Sequence, residues 1–172
     1  MERLLSLQFI WKKLNGYEEY LEQALEMAWM EGHERSLKLL DKLLYEEPGY
    51  SRLHNTLGII YMKYAEEYKQ AELHLRLAIR FNPSFADPYN NLMEILRQDE
   101  RHDEMIELCI QGLAAKRANK ALLFENIGNG WELKHKYRKA IKSYRDALNH
   151  STELRNCRAL EENIQRCERK QR

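Results

Sequence analysis

The sequence predicts an all-α chain of antiparallel helix pairs stacked one on the next. Three observations carry that prediction: a helix-forming composition, apolar residues spaced three and four apart, and a pattern that returns every 34 or 35 residues. Of 172 residues, 32% are charged and 44% hydrophobic, with seven Gly and three Pro. Such a mix favours helix and argues against disorder.

Taken in order, "ERLLSLQFIWKKL" is an apolar helix ending at the breaker pair Asn15-Gly16, so residues 1–16 form a flanking helix. A first helix pair spans about 17–50, through Ala24, Ser36, Leu40, Leu43 and Pro48. The next, about 51–85, places Leu57, Gly58 and Tyr61 in one helix and Ala71, Leu75 and Ala78 in the other, and stops at Pro83. A shift of 35 aligns Leu57, Gly58 and Tyr61 with Leu92, Met93 and Leu96 in the pair 86–119, and a second shift of 35 reaches Ile127, Gly128 and Trp131 in the pair 120–152. The second helices align as Met105, Cys109, Gly112 and then Ala140, Tyr144, Ala147, at offsets of 34 and 35, so one turn differs by a residue. Spacings of four and three put these side chains on one helical face. The turns fall near Glu66–Glu67, Asp99–Asp103 and Lys134–Tyr137, while Pro83 and Pro88 bracket a junction. Residues 153–172 read as a charged capping helix, with Ser151/Thr152 as its N-cap and Leu154, Cys157, Leu160 and Ile164 as its apolar stripe. The whole is expected to form a single domain.

Glycine is about 1 kcal/mol worse than alanine inside a helix, so Gly58 and Gly128 need a reason. Packed helices hold their axes roughly 8–10 Å apart, and closer approach needs small residues at the crossing. Gly58 is expected opposite Ala71 and Gly128 opposite Ala140, with Tyr61 and Trp131 filling the space beside them.

This pattern resembles the tetratricopeptide repeat, whose unit of about 34 residues carries W-x2-L-G-x2-Y, then A-x3-F-x2-A, then P. The best unit has Leu57, Gly58, Tyr61, Ala71, Leu75, Ala78 and Pro83, with His54 in place of the first aromatic. In the next, Tyr89, Leu92 and Leu96 fit while Met93, Met105 and Gly112 depart; the last has Phe124, Ile127, Gly128, Trp131, Ala140, Tyr144 and Ala147, with Thr152 where proline belongs. The resemblance implies a right-handed superhelical solenoid whose first helices line a concave groove, and a non-enzymatic scaffold that binds a peptide or helix of another protein there. By repeat position, partner contacts fall on Asn55, Ile59, Met62 and Lys63; on Asn90, Glu94, Arg97 and Gln98; and on Glu125, Asn129 and Glu132. Thr56, Asn91 and Asn126 would form a ladder that hydrogen-bonds a peptide backbone. In the repeats that grip the C-terminal carboxylate of heat-shock chaperones, cations and asparagines stand where this chain has Asn55, Ile59, Asn91, Leu122 and Asn126. Only Asn91 agrees, so no such clamp is expected.

Net charge is +1 but unevenly spread. Tyr17 to Tyr50 carries nine acids and three bases (−6), and Lys116 to Arg172 fifteen bases and seven acids (+8). Its densest basic stretch, Lys134 to Arg145, places Arg138, Lys142 and Arg145 on one helix face, and nucleic-acid binding there is a lesser alternative. Another is a homodimeric assembly or secretion chaperone, with Leu5, Phe9 and Trp11 as the self-contact. Cys109, Cys157 and Cys167 leave one thiol unpaired under any bridging scheme, which favours a reduced, cytoplasmic setting. No signal peptide or membrane-length apolar run is legible, so a soluble protein is expected. No metal site, cofactor or catalytic constellation is expected: the six histidines are scattered, HExxH is absent, and Gly128-Asn129-Gly130 lacks the Lys-Ser/Thr of a phosphate loop.

Overall fold

The computed structural model describes residues 2–171, with side chains from residue 16 onward. The described residues form nine helices and no strand, apart from one isolated bridge between Phe85 and Lys116. They divide into two compact units, Met1–Phe81 and Asn82–Arg172.

In the first unit, α1 (Glu2–Met30) packs on α2 (His33–Glu46), and both meet α3 (Ser51–Lys63), which pairs with α4 (Tyr68–Phe81). The expected break at Asn15-Gly16 is not there, and α1 runs through both residues. A Cβ on Gly16 would meet nothing within 4 Å. Nothing packs on the glycine to hold a turn, and its helix penalty of about 1 kcal/mol is small beside the propensity of the flanking Leu, Lys and Glu residues. The helix ends instead at Gly32, whose φ of 104° lies in the left-handed region that favours glycine. Across the α1–α2 crossing, the buried Ser36 hydroxyl donates to the Ala24 carbonyl at 2.6 Å. Leu21, Ala24, Ala28, Leu40, Leu43, Leu53, Leu57 and Ile60 form the core of this unit.

Gly58 faces α4, but one turn on from the expected contact. A Cβ built on it would lie 2.6 Å from Leu75 Cγ and 2.7 Å from Leu75 Cδ2, with the Ala71 carbonyl oxygen at 3.4 Å. Gly128 repeats the arrangement: its Cβ would lie 2.6 Å from Tyr144 Cδ1 and Cε1, rather than against Ala140. The alanines are fully buried on the second helices, but the space each glycine vacates is filled by the large side chain four residues further along.

The second unit comprises α5 (Asp87–Gln98), α6 (His102–Gly112), α7 (Lys120–Leu133), α8 (Tyr137–His150) and α9 (Leu154–Gln171), each packed on the next. Pro88 sits in the first turn of α5, where its missing N–H costs nothing. Asn119 caps α7 by accepting from the Leu122 N–H at 3.1 Å. On its other side α7 leans on α6, where a Cβ on Gly130 would come within 2.6 Å of Ile106.

The extra residue foreseen in one turn is visible. The α5–α6 and α7–α8 turns place Glu100 and His135 at φ 56°, and the next N–H returns to the carbonyl five residues back: Arg101 to Leu96 and Lys136 to Trp131. This is the Schellman pattern of helix ends. In the α3–α4 turn Glu66 takes φ 56°, yet the Glu67 N–H reaches back six residues, to Tyr61.

α9 closes the unit differently from expectation. Its first turn is accepted by the Glu153 carbonyl, bonded by the Cys157 N–H at 3.0 Å, so Glu153 replaces Ser151/Thr152 as the N-cap. Leu154 is 88% exposed, and the inward stripe is Leu160, Ile164 and Cys167, packed with Ala140, Tyr144 and Ala147. The stripe thus begins later in α9 than the sequence suggested.

Candidate functional site

In the second unit, α5 and α7 are the first helices of two successive pairs, and a stripe on each faces one cleft of about 430 Å³. From α5 come Asn90, Met93, Glu94 and Arg97; from α7 come Leu122, Glu125, Asn126 and Asn129. Spacings of three and four hold each stripe on one face. Six residues singled out in the sequence are brought together here: Asn90, Glu94, Arg97, Glu125, Asn126 and Asn129. Met93 and Leu122, which the sequence reading left out, supply the apolar part of the wall. Met93 occupies the position that Gly58 and Gly128 hold in the neighbouring pairs, and that substitution was its only signal.

The cleft side chains differ in availability. Glu94 and Arg97 are exposed, while Asn90, Glu125 and Asn129 are half-buried. Burial pushes the Glu125 carboxyl above its ordinary pKa. Asn126 is buried, and its Nδ2 donates to the Leu122 carbonyl of its own helix at 2.8 Å. Asn129 Oδ1 lies 2.7 Å from the Tyr144 hydroxyl.

The remaining candidates lie elsewhere. Asn91 is half-buried and Gln98 exposed, and neither lines the cleft. In the first unit Asn55, Thr56 and Met62 are buried, Ile59 is half-buried and Lys63 is exposed. With Thr56 buried and the Asn126 amide turned to its own helix, the two side chains do not offer the exposed rungs a ladder needs. Leu5, Phe9 and Trp11 lie outside the residues whose side chains are described.

Glu132 is a structural charge rather than an open contact. Its Oε1 accepts from Arg166 Nε at 2.8 Å and Lys170 Nζ at 3.0 Å; its Oε2 accepts from Arg166 Nη2 at 2.7 Å and faces the Tyr144 hydroxyl at 2.9 Å. The Arg166 fork is bidentate, the strongest geometry for this pair. Hydrogen bonds from Arg166 hold the Glu132 carboxyl far below the usual carboxylate range, and those to Glu132 push the Arg166 guanidinium up. Burial, then Glu132, raises the Tyr144 phenol. The single Tyr144 proton serves both Asn129 and Glu132, so the cleft wall is tied to α9 through one hydroxyl.

The basic stretch is partly engaged within the chain. Lys134 pairs with Asp103, Arg145 with Glu168 at 3.2 Å, and the Lys139 ammonium sits 4.2 Å from the Trp131 ring centre. Arg138, Lys142 and Arg145 are all exposed.

His54 stands where the repeat has an aromatic, and it behaves as one. Its ring stacks on Phe81 and His74, both at 5.3 Å, and His74 stacks on Tyr61 at 5.5 Å. His54 Nδ1 lies 3.0 Å from His74 Nδ1, and His54 Nε2 lies 2.8 Å from the Pro48 carbonyl. Because a carbonyl only accepts, His54 carries its proton on Nε2 and His74 donates from Nδ1. Burial, then His54, lowers the His74 pKa to about 4. The three cysteines are free thiols, and burial raises that of Cys109 to about 12. Among the described residues, no three His, Cys, Asp or Glu side chains cluster as a metal site, and no helix is long and apolar enough to cross a membrane.

No protein-family model and no curated protein matches the sequence. Solved structures do match the fold. The structure of PilF from Pseudomonas aeruginosa superposes with a TM-score of 0.69 at 19% identity, over 90% of this chain and 68% of that one. A crystal structure of MamA gives 0.66 at 21% identity, over 83% and 82% of the two chains. The N-terminal domain of stress-induced protein-1 (STI-1) from C. elegans gives 0.58 at 18% identity, over 66% of this chain and 93% of that one. These proteins contain tetratricopeptide repeats, and the fold of this chain is theirs: all-α, built of antiparallel helix pairs.

Proposed function

We infer that this chain is a non-enzymatic interaction module that holds an extended segment of another protein in the cleft between α5 and α7. One observation carries the reading. Two successive first helices each turn a stripe to one hollow of about 430 Å³, where Asn90 and Glu94 of α5 match Glu125 and Asn129 of α7 by repeat position, and the lining holds three carboxamides, two carboxylates, a guanidinium and two apolar side chains. The Asn90 carboxamide can pair with both the N–H and the C=O of a peptide backbone and the Asn129 amide can donate to a C=O, while Met93 and Leu122 offer apolar contact to a side chain. The fold shared with repeat-containing proteins supports a scaffold role in general. Free thiols support a reducing compartment, with the cytoplasm as the proposed location.

The test is affinity capture from native lysate with the full chain and with the triple variant Asn90→Ala/Glu94→Ala/Arg97→Ala. Partners lost with the variant, while its helical circular dichroism stays unchanged, support the cleft. Partners retained in full by the variant refute it.

A further inference from the structure

A second hollow, of about 240 Å³, shares Leu122 and Glu125 with the cleft and continues to His150, Ser151 and Glu153. One side of it is aromatic, since the His150 ring lies flat on Phe124, 5.5 Å between centres and 5° from parallel. Glu125 lines both hollows.

The charges along this run are unbalanced. Three carboxylates, Glu94, Glu125 and Glu153, line the two hollows together with one guanidinium, Arg97. Some carboxylates of the same unit are met by cations, Asp103 by Lys134, Glu104 by Arg101, Glu168 by Arg145, and Glu132 by Arg166 and Lys170. Among the described residues, no ion pair engages Glu94, Glu125 or Glu153; Glu153 accepts only a hydrogen bond, from Asn156 at 3.0 Å. Glu125 is also half-buried, so its charged form is disfavoured until a cation arrives. An acidic segment would meet three like charges here, whereas a basic one supplies what is missing.

The geometry points to a basic extended segment of a partner protein as the occupant, laid across both hollows with a lysine or arginine side chain seated on Glu125. This rests on the reading of the cleft given above. The aliphatic stem of such a side chain lies against Leu122 and Met93 while its charged head meets the carboxylate. Arg97, Asn90 and Asn129 then serve the backbone carbonyls of the segment.

The experiment is fluorescence anisotropy on the full chain with three capped, fluorescein-labelled decapeptides: alternating Lys-Ser, alternating Glu-Ser and alternating Gln-Ser. The lysine peptide is expected to bind, with affinity falling as salt rises. Glu125→Gln should weaken it about tenfold, the loss of one charge-assisted contact. Glu161→Gln makes the same charge change on an exposed part of α9 outside both hollows, and should leave affinity within about twofold. Glu125→Gln removes a charge that burial already penalises, so it should melt no lower than the parent, which circular dichroism verifies. Lysine-peptide binding that is unchanged by Glu125→Gln overturns the proposal as mere surface charge. Tighter binding of the glutamate or glutamine peptide, lost in Asn90→Ala/Glu94→Ala, overturns the basic occupant but leaves the cleft reading standing. Failure of all three peptides to bind at millimolar concentration overturns both.

Discussion

Replacing Gly58 with alanine adds a single methyl group, yet the geometry gives it a definite cost. That methyl would sit 2.6 Å from Leu75 Cγ and 2.7 Å from Leu75 Cδ2. Carbon atoms in contact prefer about 3.5–4.0 Å, so the overlap is roughly 1 Å. Leu75 is fully buried, and its Cγ is a branch point rather than a flexible tip. The overlap must therefore be relieved by moving α4 off α3, at about 1–3 kcal/mol. Alanine returns up to about 1 kcal/mol of helix propensity. An overlap of about 1 Å on a branch point sits at the upper end of the overpacking range, about 2–3 kcal/mol, so the net expectation is a loss of about 1–2 kcal/mol, rising to several kcal/mol for Gly58→Leu. Gly16→Ala is the control: it is also helical, with nothing within 4 Å of the added methyl, and should gain about 0.5–1 kcal/mol. A double-mutant cycle sharpens the test. Leu75→Ala alone should cost about 2–5 kcal/mol. Adding Gly58→Ala then fills vacated space, so the pair should fall short of the sum by about 1 kcal/mol or more. Urea denaturation followed by circular dichroism reads all four proteins. Equal or greater stability for Gly58→Ala, or strict additivity with Leu75→Ala, would refute the reasoning.

Three further outcomes are expected. Glu132→Gln breaks the Arg166 and Lys170 contacts; because both partners are nearly half exposed, the cost is about 1–2 kcal/mol, and amide hydrogen exchange should quicken along α9. Glu100 adopts φ 56°, which favours glycine, so Glu100→Gly should raise stability by about 1 kcal/mol in urea melts. For His74 the folded pKa of about 4 lies below its ordinary 6.5. The unfolded chain therefore binds a proton first, and stability, complete above pH 6.5, drops as pH falls towards 4. After allowance for solvent screening the loss is about 1–2 kcal/mol, and His74→Phe should flatten that part of the stability–pH curve, measured by urea titrations at each pH.

Much of the fold was legible because each repeat writes its signal locally. Spacings of three and four name the buried face, and the change of offset from 35 to 34 called for a one-residue difference in one turn, which the structure places at Glu66. What spacing does not give is which neighbour fills the gap beside a glycine. A face is a stripe, and Leu75 and Tyr144 occupy the same stripe as Ala71 and Ala140, one turn further on. The Asn15-Gly16 break failed for an energetic reason: a breaker worth about 1 kcal/mol does not interrupt a helix of strong formers when nothing packs there to hold a turn. The cleft was partly readable, since repeat position alone selected Asn90, Glu94, Arg97, Glu125, Asn126 and Asn129. Glu132 was misread because its partners, Arg166 and Lys170, lie 34 and 38 residues away in a helix whose docking the sequence does not orient. Asn126 lines the cleft, but its amide turns to its own backbone, as a carboxamide on a helix does as readily as to a ligand.

The claim on which the function rests is that a partner segment lies between α5 and α7. Methyl NMR tests it most directly, through the side chains of Met93 and Leu122 in the cleft wall, with Leu43 in the core of the other unit as the reference. On titration with the Lys-Ser decapeptide, the Met93 and Leu122 methyl resonances should shift along saturable curves while Leu43 stays fixed. Saturable binding that leaves Met93 and Leu122 unmoved would contradict the account.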